Sequence, residues 1–149
     1  MFILLLLTSG LLSGCAGQVR LDVESTSDLN SVSGTPLPVV VRIYSLEDDN
    51  AFNNADFYAL WKRDEEVLAR SLILKKEIVI QPDTTERIEF PYDSKMRFIA
   101  GVAIFRNPSK SQWRFIEAIP NNVVSNAWQQ VFSASLGLRL SQNKIEVVD

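Results

Sequence analysis

Between Leu72 and Val148 the chain repeats one pattern: short runs rich in Val, Ile, Phe and Leu, each closed by a cluster of Pro, Asn, Asp or Ser. Runs this short, punctuated this regularly, suit strands. They predict strands at Leu72 to Ile80, Thr85 to Phe90, Arg97 to Phe105, Trp113 to Ile119, Phe132 to Leu140 and Lys144 to Val148. Pro82-Asp83, Pro91-Tyr92-Asp93-Ser94 and Asn107-Pro108-Ser109 supply turns, and Gln142-Asn143 suits a tight hairpin. Leu136, Leu138 and Leu140 alternate with other residues, the mark of a strand buried on one face.

The first half of the chain adds two strands and a helical interruption. Val19, Leu21 and Val23 alternate with Arg20, Asp22 and Glu24, which predicts a half-buried strand. Val39-Val40-Val41-Arg42-Ile43-Tyr44 is β-branched and reads as a central strand. Between them, Ser25 to Pro38 is rich in Ser, Asn, Asp, Gly and Pro and predicts a long exposed loop. Long loops on rigid scaffolds are preferentially functional, so this one is the first candidate for binding a partner. After the acidic turn Glu47, Asp48, Asp49 and Asn50, a helix is expected, capped by Asn53 with Asp56 in its first turn. Phe57, Leu60, Trp61, Val67 and Leu68 give that helix its packing surface, and Asp64-Glu65-Glu66 begins a second short helical turn. Asn121 to Gln130 fits either one helical turn or an irregular crossing. Eight short strands with one helical insertion point to a mainly β, two-sheet sandwich.

The N-terminus carries a second signal. Phe2 to Leu7 is an apolar run far shorter than the roughly 20 residues a bilayer span needs, but it suits an export signal. Leu12-Ser13-Gly14-Cys15 follows: small residues for a signal peptidase, then a thiol to accept a diacylglyceryl group. The basic residue that usually opens such a signal is missing from Met1-Phe2, as it would be if translation began further upstream. Residues 1–14 are thus expected to be a signal peptide and residues 15–149 a single domain tethered by lipidated Cys15. Ala16 stands where, in similar lipoproteins, an Asp favours inner-membrane retention, so the periplasmic face of the outer membrane is the expected location.

Composition removes most chemistry. Cys15 is the only cysteine, so the domain has no disulfide and depends on packing. The chain has no histidine, which excludes His-based triads and most zinc or iron sites. Its six glycines form no phosphate loop, and Asp48, Asp49 and Asp56 lack the spacing of a calcium loop. No metal, and no cofactor other than the covalent lipid, is expected, and the chain reads as a non-enzyme without a small-molecule substrate. A net charge of −3 with dispersed Lys and Arg argues against nucleic acid. Trp61, Trp113 and Trp128 read as core or rim aromatics, and Arg42, Arg106 and Arg114 as surface or structural cations whose stems cover apolar area.

Taken in order, several segments resemble the TssJ family, the outer-membrane lipoprotein of the bacterial type VI secretion system. They are the lipobox at Cys15, Pro38-Val39-Val40-Val41-Arg42-Ile43-Tyr44-Ser45-Leu46, Phe52 with Ala55-Asp56-Phe57 and Leu60, Val102-Ala103-Ile104-Phe105-Arg106, and Trp113-Arg114. Pro82-Asp83 departs from the Pro-Gly expected at that turn. The resemblance implies a transthyretin-like two-sheet β-sandwich with a short helical insertion. It implies a structural role in the trans-envelope complex, through binding the periplasmic C-terminal region of the inner-membrane protein TssM. It also places a partner-binding loop at Asp28, Leu29, Asn30, Ser31, Val32, Ser33, Gly34, Thr35 and Pro36, where Leu29, Val32 or Leu37 would supply an apolar anchor. The alternative from another class is a periplasmic lipoprotein carrier holding a small apolar ligand between its sheets.

Overall fold

The computed structural model describes residues 17–119 and 133–148. Strands β1 (Gln18–Ser25), β4 (Thr85–Pro91), β7 (Ser133–Leu140) and β8 (Ile145–Val148) make one sheet in the order β4-β1-β7-β8. Strands β2 (Val39–Leu46), β3 (Leu72–Ile80), β5 (Phe98–Ile104) and β6 (Arg114–Ala118) make the other, in the order β3-β2-β5-β6. Every pairing is antiparallel except β1 with β7. Between β2 and β3 lie α1 (Asn50–Asn54), α2 (Phe57–Leu68) and a 3₁₀ turn, Ala69–Ser71.

Alternation sets the inner faces. Val19, Leu21 and Val23 point into the core, and Val39, Val41 and Ile43 meet them from the opposite sheet, all buried. The residues between them face out and pair across strands: Arg20 with Glu89 at 3.5 Å, Asp22 with Arg87 at 2.7 Å, Glu24 with Arg139 at 3.3 Å. Exposed pairs of this kind contribute little stability, but opposite signs placed face to face favour this register.

Strands β2 and β5 do not alternate, and the helical insertion is the reason. Ile43, Tyr44, Ser45 and Leu46 are all buried, as are Ile99 through Ala103. A sheet covered on both faces has no solvent side to reward polar residues, so its central strands read as continuous apolar runs. Phe52 of α1 meets the outward-facing Tyr44 ring edge-on at 6.2 Å, and Leu60 and Leu68 are buried on the inner side of α2.

Two local expectations are corrected. Asn53 does not cap the helix; it lies within α1 and donates its side-chain amide to Asp49 Oδ2 at 2.8 Å. The cap of α2 is Asp56, whose extended backbone lets its carboxylate accept from Ala59 N at 2.8 Å. The second short helical segment expected from Asp64 is present: Arg63, at φ −152° and ψ 44°, breaks the helical path, and Asp64 onward resumes it as the second part of α2. The Gln142-Asn143 hairpin is present, with Ser141 N donating to Lys144 O at 3.0 Å. At Pro82-Asp83 the turn needs a left-handed residue, and Asp83 takes it at φ 56° where glycine would be less strained. Asn121 to Gln130, Trp128 and the lipobox residues Leu12, Ser13, Gly14 and Cys15 lie outside the described residues.

Gly137 on β7 gives a direct test of the packing. A Cβ there would sit 2.6 Å from Val148 O and 2.9 Å from a Val148 methyl. A backbone oxygen cannot swing aside as a side chain can, so Gly137→Ala must push β8 outward. The expected cost is about 1–3 kcal/mol, read as a lower urea midpoint with an unchanged m-value.

Candidate partner-binding site

The loop between β1 and β2 is built as a pinned base and a rigid tip. Leu29 is fully buried and Asn30 is 4 % exposed, so both belong to the body of the sandwich. Asn30 adopts φ 49°, a conformation asparagine tolerates well. Its amide nitrogen donates to Pro38 O and its amide oxygen accepts from Arg106 N, each at 2.9 Å, tying both ends of the loop to the turn after β5. Beyond this clamp, Val32 and Thr35 exchange backbone hydrogen bonds of 3.3 and 3.2 Å around Ser33 (φ 54°) and Gly34 (φ 79°). Two successive left-handed residues make a hairpin turn of the type that matches strand twist. Val32 through Pro36 are exposed.

The expected binding loop therefore divides. Leu29 cannot be a partner anchor because it is spent on the core, and Leu37 is half-buried. Val32, 40 % exposed, is the large apolar side chain the tip presents to solvent.

Next to this hairpin lies an aromatic cleft, built by residues for which the sequence signals helix packing alone. It has a volume of about 420 Å³ and is lined by Phe57, Tyr58 and Trp61 of α2 and by Ile104, Phe105, Arg106 and Pro108. Phe57 packs edge-on against Trp113 at 5.2 Å and tilts against Trp61 at 5.9 Å. Tyr58, 67 % exposed, stands 5.6 Å from Trp61, and Lys62 Nζ covers the Trp61 ring at 3.6 Å. Phe57 and Trp61 are four residues apart and share a helix face with Tyr58 beside them, which is the sequence signal for the cluster. Arg106 lines the cleft while its backbone N–H holds Asn30, so cleft and hairpin form one continuous end of the molecule.

What positions α2 is a buried ionic hub. Asp64 occupies the helix's buried stripe between Leu60 and Leu68, where an apolar residue would be expected. Its Oδ2 accepts from the Tyr44 hydroxyl at 2.8 Å and contacts Lys75 Nζ at 2.9 Å and Arg42 Nη1 at 3.4 Å. Arg42 also binds Glu77 through Nε at 2.7 Å and donates to the carbonyls of Leu60 and Trp61 at 3.2 and 2.8 Å, locking the helix to β2. Burial alone would raise the Asp64 pKa, but the bonds from Lys75 and Tyr44 and the nearby cations outweigh it and hold the carboxyl below its usual value. Burial, reinforced by the Asp64 hydrogen bond, pushes the Tyr44 phenol far up.

Arg114 does similar work at α1. Its Nη1 donates to Phe52 O, which also accepts from Ala55 N at 3.3 Å, and to Ala55 O, each at 2.8 Å, and its Nη2 donates to Asn53 O at 3.2 Å, so one guanidinium closes the C-terminal end of α1. Burial lowers its pKa. Arg42 and Arg114 are thus structural, as expected: both grip backbone carbonyls, and Arg114 also lies over the Trp113 and Phe52 rings at 4.8 and 5.5 Å. Asp48 accepts from Asn50 N, and Asp49 and Asp56 serve Asn53 and the α2 cap, so each acid is committed to the helical insertion.

Residues 17–147 match the family described as type VI secretion lipoprotein, VasD, EvfM, TssJ. The chain belongs to this family. The crystal structure of the type VI secretion lipoprotein TssJ1 from Pseudomonas aeruginosa is similar at 27 % identity and TM-score 0.76, over 89 % of this chain and 95 % of that one. A chain of a structure described as a type VI membrane complex is 27 % identical, TM-score 0.76, over 90 % and 99 %. A chain of a structure described as the TssM C-terminal domain (869-1107) from EAEC is 26 % identical, TM-score 0.70, over 89 % and 98 %. No curated protein matches the sequence. The two-sheet sandwich with a helical insertion is thus the fold of the family, as the resemblance implied. Two clefts among the described residues lie at the surface, one beside the hairpin and one of about 300 Å³ at the free edge between β3 and β4.

Proposed function

We propose that this family member is held by acylated Cys15 on the periplasmic face of the outer membrane and binds the periplasmic C-terminal region of TssM, as a structural part of the type VI trans-envelope complex. The likeness to a chain in the TssM C-terminal domain structure carries the reading. The match covers 89 % of this chain and 98 % of that one, so the matched chain is about as long as this one. It is much shorter than residues 869–1107, which fits a small companion of the TssM domain rather than the domain itself. The likeness to a chain of a type VI membrane complex supports the same assembly role.

The hairpin tip suits the contact. A rigid turn loses little conformational entropy on binding, and a polar rim of Ser and Thr around Val32 favours a moderate, water-tolerant interface. Calorimetric titration of a soluble fragment beginning at Ala16 with the periplasmic C-terminal region of the cognate TssM should give saturable binding. Val32→Asp, which leaves Leu29 and Asn30 in place, should weaken it at least tenfold, or about 1.4 kcal/mol. Absence of binding between two folded fragments would remove TssM as the partner, and full affinity in the Val32 variant would remove the tip from the contact.

A further inference from the structure

The distance between the lipid site and the first fixed residue orients the whole domain. Gly17 O already accepts a hydrogen bond from Tyr92 N at 2.8 Å, and β1 begins at Gln18. Two Cα–Cα steps of about 3.8 Å separate Cys15 from Gly17, so chain connectivity keeps the Cys15 Cα within about 8 Å of the Gly17 Cα. From there β1 runs away for about 23 Å to Ser25, where Ser25 N bonds Thr84 O and Thr26 N bonds Leu140 O at the opposite end.

The turn from Tyr92 to Arg97 closes the end near the anchor. Met96 N bonds Asp93 O, Arg97 N bonds Leu46 O, and Ile119 N bonds Arg97 O, so the same turn joins the ends of both sheets. Lys95 and Arg97 are exposed and make no ion pair among the described residues; Arg97 Nη1 donates only to the carbonyls of Ser94 and Met96. Asp93 is occupied by Lys95 N at 2.8 Å.

We propose that the short leash presses this end, led by Ser94, Lys95 and Arg97, onto the phospholipid headgroups, and holds the hairpin tip and aromatic cleft at the far end toward the periplasm. This rests on the lipoprotein reading above. Exposed cations near a carboxylate suit a zwitterionic surface, where phosphates accept from Lys95 and Arg97.

The test uses full-length acylated protein in phosphatidylethanolamine/phosphatidylglycerol vesicles carrying a quencher at headgroup depth. With the Cys15 sulfur acylated, Ser94→Cys or Thr35→Cys gives one free thiol for a fluorophore. Several-fold stronger quenching at position 94 than at 35 is expected, and a Gly/Ser linker as long as β1, inserted between Ala16 and Gly17, should abolish the difference. Equal or reversed quenching overturns the orientation, and a difference that survives the linker overturns the leash as its cause. Mass spectrometry separates the two readings: an unacylated Cys15 overturns the lipoprotein reading, whereas an acylated chain without the quenching difference overturns the orientation alone.

Discussion

Asp64→Ala is expected to lower folding stability by about 3–5 kcal/mol, seen as a large fall in the urea midpoint. The Asp64 side chain is 7 % exposed and its partners Arg42 and Lys75 are 17 % and 22 % exposed, which places the cluster among buried ion pairs rather than surface ones. Removing the carboxylate leaves two cations and the Tyr44 hydroxyl facing one another without the acceptor they share. Tyr44→Phe removes only a neutral donor and should cost about 1 kcal/mol, so the two variants separate the charge from the hydrogen bond.

The same hub fixes the sign of the response to acid. Because the folded-state pKa of Asp64 is depressed, its contribution is present above the unfolded value of about 3.9 and is lost as pH falls through the folded value. Asp64→Asn should therefore flatten the stability profile below about pH 4. At the alkaline end Tyr44 and Lys75, both raised in the fold, contribute below their unfolded values and lose that contribution as pH climbs through the folded ones. Either loss would loosen α2 and the aromatic cleft it carries before the inner core is touched.

Cys15→Ser should release the protein from membranes altogether. An acyl chain contributes roughly 0.8 kcal/mol per buried methylene, and one chain alone binds only marginally, so several chains on one cysteine act as a permanent anchor whose loss no surface contact can replace. Fractionation should move the variant from the membrane pellet to a soluble, uncleaved or mislocalised pool, while the purified domain keeps its urea midpoint. A variant still processed and still pelleting with membranes would remove Cys15 as the anchor.

These results differ in what made them foreseeable. The succession of strands and the inward Val19, Leu21 and Val23 were legible in the chain, because each depends on neighbours in sequence: a period of two, and turn residues between runs. The loop from Ser25 to Pro38 was legible only as polar. That Leu29 is core and that Asn30 clamps the turn after β5 depend on Arg106, Pro38 and the opposite sheet, whereas the Ser33-Gly34 hairpin closes locally between Val32 and Thr35. The exchange of cap from Asn53 to Asp56 shows the same limit at close range, since either side chain can cap and packing of Phe52 and Phe57 decides where each helix starts.

Asp64 marks the boundary most clearly. An acid in the stripe Leu60, Asp64 and Leu68 is visible in the sequence as an anomaly, and burial of an acid demands a partner. Which partner answers it was a tertiary matter: Tyr44, Arg42 and Lys75 come from two neighbouring strands, and only the antiparallel pairing of β2 with β3 beneath α2 brings them together. By itself the sequence determined the class of fold and the order of its parts, both governed by local chemistry. The tertiary structure decided which polar residues are spent holding the fold and which remain free to meet a partner, because burial and charge pairing are set by residues distant along the chain.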